Sequence, residues 1–380
     1  MKLVPKRRFK GFADSWERFK IERIANSTYG GGTPTTSNEK YWNGTIPWIQ
    51  SSDVAENIIF GIVPKKYISR DGLRNSATKL IPENSIAIVT RVGVGKLAII
   101  PFAYSTSQDF LSLSNLKIDV WFSAYAIYQR LQGESNAVQG TSIKGITKEE
   151  LLSKVIFVPN NEEQAKIGMF FRNIDELTLC YQHKLKKLQA IKQAYLHEMF
   201  PAEGESVPKR RFKGFTGEWR EQKFGDVLKA HAFNLFLAKP LEYGPFKVIQ
   251  QGDDPISGYA DGNPYKDYKD VVLFGDHTLS LYKPESPFFL ATDGIKILSG
   301  DNIDGFFLYT LIERYRPKSQ GYKRHFTILK DLTCVITKNR KEQQKIGSFF
   351  RKLDERIALQ QAKVEKLKAM KQAYLHEMFV

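Results

Sequence analysis

The sequence has few cysteines and no long apolar run. Of its 380 residues only Cys180 and Cys334 are cysteines, and neither belongs to a CxxC pair. We therefore expect neither a disulfide framework nor a zinc site, and we predict a reducing, cytoplasmic environment. No apolar stretch approaches the roughly 18 residues of a membrane helix. The opening MKLVPKRRFKGF is charged and lacks an apolar segment, so we expect no secretory signal.

Common catalytic motifs are also missing. The stretch RVGVGKLAII (91–100) lacks the first glycine and the Ser/Thr of a P-loop, and an apolar strand follows where a helix should begin. DDPI (253–256) is not the Asn/Asp-Pro-Pro-aromatic motif with which amino-methyltransferases hold a flipped base. No nuclease, metalloprotease or serine-hydrolase pattern appears. We predict that the chain is not catalytic by itself and holds neither a metal nor a cofactor.

The charge is strongly unbalanced. Fifty-seven Lys and Arg stand against 41 Asp and Glu, which gives a formal net charge of +16. Such an excess favours a polyanionic partner, because neutralising phosphates releases counterions and drives binding. The alternative is a basic protein without a nucleic-acid partner.

Two segments of the sequence occur twice. The head VPKRRFKGF stands at 4–12 and 207–215, and the tails at 163–200 and 342–379 share 24 of 38 positions, including the closing KQAYLHEMF. Between head and tail the two copies hardly resemble each other. This arrangement is not a stacked solenoid. It predicts two modules of different specificity in a duplicated scaffold.

Each tail has the signals of a long helix. Asn160 and Asn339 are candidate N-caps, and Glu163 and Glu342 follow at the spacing of a capping box. Apolar residues recur at intervals of three and four, and such a helix extends for roughly 55 Å. We predict an antiparallel helix pair that covers both apolar stripes and spaces the modules. In the alternative, each helix docks on its own module and sets no distance.

The tails contain more large apolar residues than one helix seam needs. Their recurrence predicts a surface that binds the same partner twice. We expect His197 and His376 to be solvated helix-end residues rather than metal ligands or catalytic groups. The predicted partner-binding residues are Phe171, Tyr195, Met199, Phe200, Phe350, Tyr374, Met378 and Phe379.

The segments between heads and tails read as mixed strands and helices. IPWIQ, SIAIVT and KLAIIPFAY in the first copy, and FKVIQ, VVLFG and FFLAT in the second, are typical strands, whereas 120–131 and 305–315 are typical helices. The predicted class is α+β, with two globular α/β domains separated by two long antiparallel helices in a pseudo-two-fold repeat. The predicted boundaries are 1–158, 159–200 (helical spacer), 201–216 (linker and head), 217–338 and 339–380 (second spacer).

Loop residues with free donors are candidate DNA contacts. Arg, Lys and Gln suit base edges, whereas Thr and Lys mostly hold phosphate. For any one of these residues, a solvated surface side chain is the alternative. The first copy contributes Thr33, Thr35, Lys65, Lys66, Arg70, Arg74, Arg91 and Lys96, and the second Gln250, Gln251, His277, Lys323 and Arg324.

These features together resemble the specificity subunits of type I restriction–modification enzymes. The resemblance rests on the EQ.KIG.FF tails after VIFVPN and VITKN, on the KRRFKGF heads, and on GGTPTTSNEKYWNGTIPWIQSSD and IQQGDDPISGY. Lys338 replaces the Pro159 of the first copy. The resemblance implies two target-recognition domains that each read half of a split DNA sequence, with paired helices fixing the gap.

The resemblance also implies partners. Two modification subunits would bind S-adenosylmethionine and methylate adenine N6, and a motor-nuclease subunit using ATP and Mg²⁺ would complete the restriction enzyme. The alternative is a stand-alone DNA-binding or scaffold protein that dimerises through its helices.

Overall fold

The computed structural model describes residues 4–137, 145–321 and 323–380, with only the backbone described for 133–137. The chain forms two compact units. The first unit consists of Met1–Tyr181 and Lys363–Val380, and the second of Gln182–Ala362. Each long tail helix therefore contributes its beginning to one unit and its end to the other.

The first unit contains two sheets and a ribbon. Its elements are β1 (Glu17–Lys20), β2 (Ala25–Gly30), β3 (Ile46–Ile49), β4 (Lys66–Ile68), α1 (Arg70–Arg74), β5 (Ser85–Val89), β6 (Leu97–Ile100), β7 (Ser105–Thr106), β8 (Phe110–Leu116), α2 (Val120–Ala137), α3 (Lys148–Ser153), β9 (Val155–Val158) and α4 (Asn161–Glu198). The strand orders are β2-β8-β5-β6, β4-β3-β7 and β1-β9. All pairs are antiparallel except β3–β7.

Strand β5 shows how the first core forms. Ile86 and Ile88 belong to the cluster that packs with α2, whereas Ala87 and Val89 belong to a second cluster with Ile49 of β3. Successive side chains of a strand point to opposite faces. The uninterrupted apolar run IAIV (86–89) therefore reflects a strand that is covered on both faces.

The second unit has the same topology. Its elements are β10 (Arg220–Lys223), α5 (Phe224–Val227), β11 (Leu228–His231), β12 (Phe246–Ile249), β13 (Ile256–Ala260), β14 (Val272–Gly275), β15 (Leu281–Tyr282), β16 (Phe288–Leu290), β17 (Ile295–Gly300), α6 (Gly305–Tyr315), α7 (His325–Asp331), β18 (Thr333–Ile336) and α8 (Arg340–Met378). The orders β11-β17-β14-β15, β13-β12-β16 and β10-β18 match those of the first unit, and β12–β16 is again parallel.

The predicted α+β class with two modules and two long helices is confirmed. The helix predicted at 305–315 has those bounds, whereas the one predicted at 120–131 continues to Ala137. The apolar run KLAIIPFAY is a strand only over Leu97–Ile100, because the chain then turns at Pro101 and Phe102 before β7. Both modules thus share a topology that their sequences do not reveal.

The long helices pack antiparallel within each unit. In the first unit the Phe170 and Tyr374 rings lie 5.1 Å apart, and farther along α4 the Tyr181 ring lies beneath Lys363 at 5.6 Å. In the second unit Tyr195 of α4 lies 5.0 Å from Phe349 of α8. Residue numbers that rise along α4 therefore meet numbers that fall along α8. The predicted covering of one apolar stripe by the other is present in both units.

Candidate DNA-recognition surfaces on a duplicated frame

The repeated heads bind the beginnings of the long helices. Arg8 donates through Nε and Nη2 to the carboxylate of Glu163 at 2.6 and 2.7 Å, and Glu163 is fully buried. Arg211 binds Glu342 in the same way at 2.6 and 2.9 Å. These pairs are bidentate and charge-assisted, which makes them strong and geometrically specific.

The capping-box prediction is half right. Asn160 Oδ1 accepts from the backbone N of Glu163 at 2.9 Å, and Asn339 Oδ1 accepts from that of Glu342 at 3.3 Å, so both asparagines are N-caps. The glutamate carboxylates, however, bind the head arginines described above instead of returning to the cap backbone. The arginine is a stronger partner for a buried carboxylate than one neutral N–H.

The same heads also bind the end of the other long helix. Arg7 pairs with Glu377 near the end of α8, and Arg210 Nε donates to Glu198 Oε2 of α4 at 2.6 Å. The hydrogen bond from Arg210 lowers the pKa of Glu198. Each head thus joins the beginning of one helix to the end of the other, which gives the duplication of KRRFKGF a physical reason.

The EQ.KIG part of each tail docks the long helix on its module. Gln164 Oε1 accepts from the backbone N of Asp119 at 3.0 Å, and its Nε2 donates to the Pro159 carbonyl at 2.7 Å. Asp119 in turn accepts from the backbone N of Phe122 in the first turn of α2. One amide therefore connects the beginnings of α2 and α4.

The second copy repeats this docking. Gln343 accepts from the backbone N of Asp304, the N-cap of α6, at 3.0 Å and donates to the Thr337 carbonyl at 2.8 Å. Gly347 lies so close to α6 that an added Cβ would be 2.6 Å from the Phe307 backbone N. A larger residue cannot fit there without moving one of the helices.

In each unit, an ion pair connects the end of one long helix to the first half of the other. In the first unit Lys371 lies 2.7 Å from Asp175 Oδ1 and also donates to the Asn57 carbonyl at 2.5 Å; the side chains of the pair are 4% and 1% exposed. Tyr125 donates to Asp175 at 2.8 Å. Burial raises the pKa of Asp175 and lowers that of Lys371, and the attraction between them opposes both shifts.

The corresponding pair of the second unit is less buried. Lys192 binds Asp354 and Glu313, each at 2.6 Å. The side chain of Asp354 is 35% exposed, compared with 1% for Asp175. The lysine of KQAYLHEMF thus has the same kind of partner in both copies.

The predicted partner-binding residues contribute to the cores of the two units. Phe171 packs against Phe379 at 5.7 Å, and Phe350 against Phe200 at 6.5 Å. Packing within the chain therefore accounts for their repetition, and their contact with a partner stays a prediction. The buried members are Phe171, Met199, Phe200, Phe350 and Met378, and the partly exposed ones are Tyr195, Tyr374 and Phe379.

A cavity of about 960 Å³ in the first module is lined by one predicted DNA contact, Arg91, and a second, Thr33, binds another of its lining residues. Its lining includes Arg91 after β5, Gln108 before β8 and Lys148 at the start of α3. Thr33 Oγ1 donates to Gln108 Oε1 at 2.6 Å, so Thr33 and Arg91 are brought together through Gln108. Sequence reasoning missed Gln108 and Lys148, because neither belongs to a motif and only the fold brings them near Arg91.

Two tryptophans gather two further predicted contacts. The rings of Trp42 and Trp48 meet edge to face at 4.9 Å, and Lys66 Nζ lies over both, at 5.6 and 5.7 Å. The Thr35 carbonyl accepts from Trp42 Nε1 at 3.2 Å. The exposed Lys66 is therefore held at a defined position.

Other predicted cations of the first module already have carboxylate partners. Lys65 lies 3.2 Å from Asp53, and Lys96 lies 3.1 Å from Glu56. These carboxylates would compete with a phosphate. The α1 cations are exposed: Arg70 and Arg74.

The predicted contacts of the second module come from three segments that meet. Gln251 Oε1 accepts from the backbone N of His277 at 3.4 Å. The neighbouring Asp276 accepts from the backbone N of His325 at 2.8 Å and from that of Phe326 at 2.8 Å. The fold thereby joins the three segments that carry the five candidates, whose contact with DNA stays a prediction: Gln250, Gln251, His277, Lys323 and Arg324.

Within the residues that the structure describes, no group of three or more His, Cys, Asp or Glu side chains could hold a metal ion. Within the same residues, no helix has the length and apolar character needed to cross a membrane.

Known proteins that this chain resembles are specificity subunits of type I restriction enzymes. Residues 13–193 match the family described as Type I restriction modification DNA specificity domain. The chain is 34% identical over 158 residues to the Type I restriction enzyme EcoR124I/EcoR124II specificity subunit of Escherichia coli, which covers 40% of this chain and 39% of that protein. It is 24% identical over 406 residues to the MjaIX specificity subunit of Methanocaldococcus jannaschii, which covers 95% of this chain and 91% of that protein.

The fold has a solved counterpart. The crystal structure of a type I restriction–modification S subunit from M. genitalium superposes with a TM-score of 0.71 at 17% identity, covering 99% of both chains. The fold defines a two-module protein built on a duplicated helical frame. Nearly half of the chain matches the DNA specificity domain of type I restriction–modification systems, and the whole chain is similar to the specificity subunits of those systems.

Proposed function

We propose that this chain reads a bipartite DNA sequence, one half with each module, and directs adenine-N6 methylation by two modification subunits bound to it. A motor-nuclease subunit would join the complex for restriction. S-adenosylmethionine would be bound by the modification subunits, and ATP and Mg²⁺ by the motor-nuclease subunit. The cytoplasm, where the DNA is, would be the site of action.

One observation carries the proposal: the frame contacts recur in both units, whereas the surfaces of the modules differ. Arg8–Glu163 corresponds to Arg211–Glu342 in partners and geometry. In contrast, the segments that carry the cavity residues Arg91 and Gln108 do not resemble the sequence of the second module. A constant frame with variable surfaces is what a reader of two different half-sites requires.

The helices would set the gap between the half-sites. Helix α4 has 38 residues and α8 has 39, which corresponds to about 57 Å at 1.5 Å per residue. Base pairs of B-DNA follow each other at about 3.4 Å. Helices of this length are therefore commensurate with two half-sites separated by several base pairs.

The partner surface is best sought among exposed residues that are identical in the two tails. Internal packing does not explain their identity. Spacing of three to four places them on one face of each helix end, near the partly exposed Tyr195 and Tyr374. These pairs include Ala190 and Ala369, Ala194 and Ala373, and His197 and His376.

The stand-alone alternative needs apolar helix faces open to a second copy. In each unit those faces already pack against the other long helix, as Phe170 does against Tyr374. No contact of the described residues therefore favours this alternative.

A module exchange tests the proposal. Residues 14–158 are replaced with the corresponding module of another specificity subunit, and methylated adenines are mapped in cells that also express the modification subunit. We expect one half-site to change and the other half-site and the gap to persist. A change in both half-sites would contradict independent reading by the modules.

A further inference from the structure

We propose that Gln108 reads a base edge in the half-site of the first module, and that Lys148 holds a phosphate beside it. This inference rests on the proposed function and assigns residues within it. Neither residue belongs to a sequence motif, and both line the cavity that also contains Arg91.

The Thr33 contact orients the amide of Gln108. Because Thr33 Oγ1 donates to Oε1 at 2.6 Å, the acceptor end of the amide is engaged. Among the described residues, none accepts a hydrogen bond from its Nε2. The exposed side chain therefore presents a donor.

A donor selects among base pairs in the major groove. Guanine offers N7 and O6, adenine N7 and thymine O4 as acceptors, whereas cytosine offers only its N4 donor. We therefore expect Gln108 to face guanine, adenine or thymine and to reject cytosine at the contacted position.

The backbone that carries Gln108 is held on both sides. The backbone N of Ser107 donates to the Ile49 carbonyl at 2.9 Å, and Ser107 Oγ donates to Asp109 Oδ2 at 3.0 Å. The backbone N of Thr90 donates to the Asp109 carbonyl at 2.7 Å. An exposed side chain on such a fixed segment loses little backbone entropy when it binds, which favours discrimination.

The charge of the cavity suits the DNA backbone. Among the described lining residues, the charged ones are Arg91 and Lys148, and none is a carboxylate. Phe110 and Leu111 at the start of β8 form an apolar part of the cavity wall. Cations beside a base-reading amide give the usual combination of phosphate contacts that position and base contacts that specify.

The test uses the full chain with its modification subunit. Methylated adenines are mapped genome-wide for Gln108→Ala, Gln108→Glu and Thr33→Val, and the module exchange identifies the half-site of the first module. We expect Gln108→Ala to relax one position of that half-site, with discrimination falling about tenfold or more. Gln108→Glu replaces the donor with an acceptor and should shift the preference at that position towards cytosine. Thr33→Val should relax the same position less.

The phosphate role has its own readout and a matched control. Lys148→Ala should weaken binding of the complex to all sequences alike and reduce the slope of log affinity against log salt by about one. Lys117→Ala removes an exposed cation just beyond the other end of β8 and should leave the slope unchanged. An unchanged slope for Lys148→Ala would overturn the phosphate assignment.

The outcomes separate the inference from the proposed function. A wild-type complex that methylates a split motif supports the proposed function whatever the variants do. If Gln108→Ala and Gln108→Glu then leave the first half-site unchanged, the reading role is wrong. If the wild-type complex methylates no split motif, the proposed function itself fails.

Discussion

The buried pair of Asp175 and Lys371 provides the sharpest test of how the frame is held together. We predict that Lys371→Met strongly destabilises the first unit. Methionine keeps the length and most of the volume of the lysine but removes its charge. Among the described residues, Asp175 would then keep only Tyr125 as a side-chain partner, and the Asn57 carbonyl would lose the Lys371 donor.

The expected magnitude follows from the burial of the pair. Leaving one charge of a buried ion pair without its partner costs about 3–5 kcal/mol, whereas replacing both charges with apolar residues is often nearly neutral. We therefore expect a loss of about 3–5 kcal/mol for Lys371→Met and a much smaller loss for the double variant Asp175→Leu/Lys371→Met. The double-mutant cycle should give a coupling energy of about 2 kcal/mol or more.

Urea unfolding followed by tryptophan fluorescence can measure the effect. Four of the five tryptophans, Trp16, Trp42, Trp48 and Trp121, belong to the first unit, so the signal reports mainly on that unit. The midpoint should fall while the slope of the transition stays constant.

Lys192→Met is the matched control in the second unit. Asp354 is more exposed than Asp175, so water would solvate the carboxylate left behind and the cost should be smaller. A loss below about 1 kcal/mol for Lys371→Met, or a double variant as unstable as the sum of the two singles, would refute the reasoning.

Three further predictions concern the head, a buried lysine and the helix pair. Arg8→Leu should cost about 3–5 kcal/mol because it strands the buried Glu163, and Arg8→Lys should cost less; equal losses in urea unfolding would contradict the bidentate pairing. Burial lowers the pKa of Lys283 to about 8, so the unfolded chain binds more protons than the folded chain between that pH and about 10.5, and stability rises with pH there. Relative to Lys283→Met, the wild type should gain about 2 kcal/mol between pH 7 and 9.5 in urea titrations; a flat difference would contradict the shift. Insertion of about seven helical residues (two turns) before Gln182, with a matching insertion before Lys363, should widen the gap in the methylated motif; an unchanged gap would contradict the spacer role.

The sequence predicted local structure well where one segment carries the whole signal. The helix at 305–315 and the N-caps Asn160 and Asn339 were predictable because periodicity and capping act over a few residues. The partners of Glu163 and Lys371 were not, because Arg8 and Asp175 lie 155 and 196 residues away along the chain. The repeat revealed that these residues recur, but not that they bind each other.

In the candidate site, too, the sequence indicated single residues, whereas their contacts depend on the fold. Residue type identified Thr33 and Arg91 as possible contacts, but only the fold brings both near Gln108, which Thr33 binds and which lines the same cavity as Arg91. The tail aromatics illustrate a different difficulty: repeated apolar residues can reflect a partner surface or a duplicated core. Packing distances, such as 5.7 Å between Phe171 and Phe379, show that these residues form part of a core.

The most direct test of the central claim is a genome-wide map of methylated adenines, made with and without this chain in cells that express its modification subunit. The account predicts a split motif with a fixed gap that disappears when the chain is omitted. A soluble, assembled complex that adds no methylation, or one whose methylation follows a single continuous motif, would contradict it.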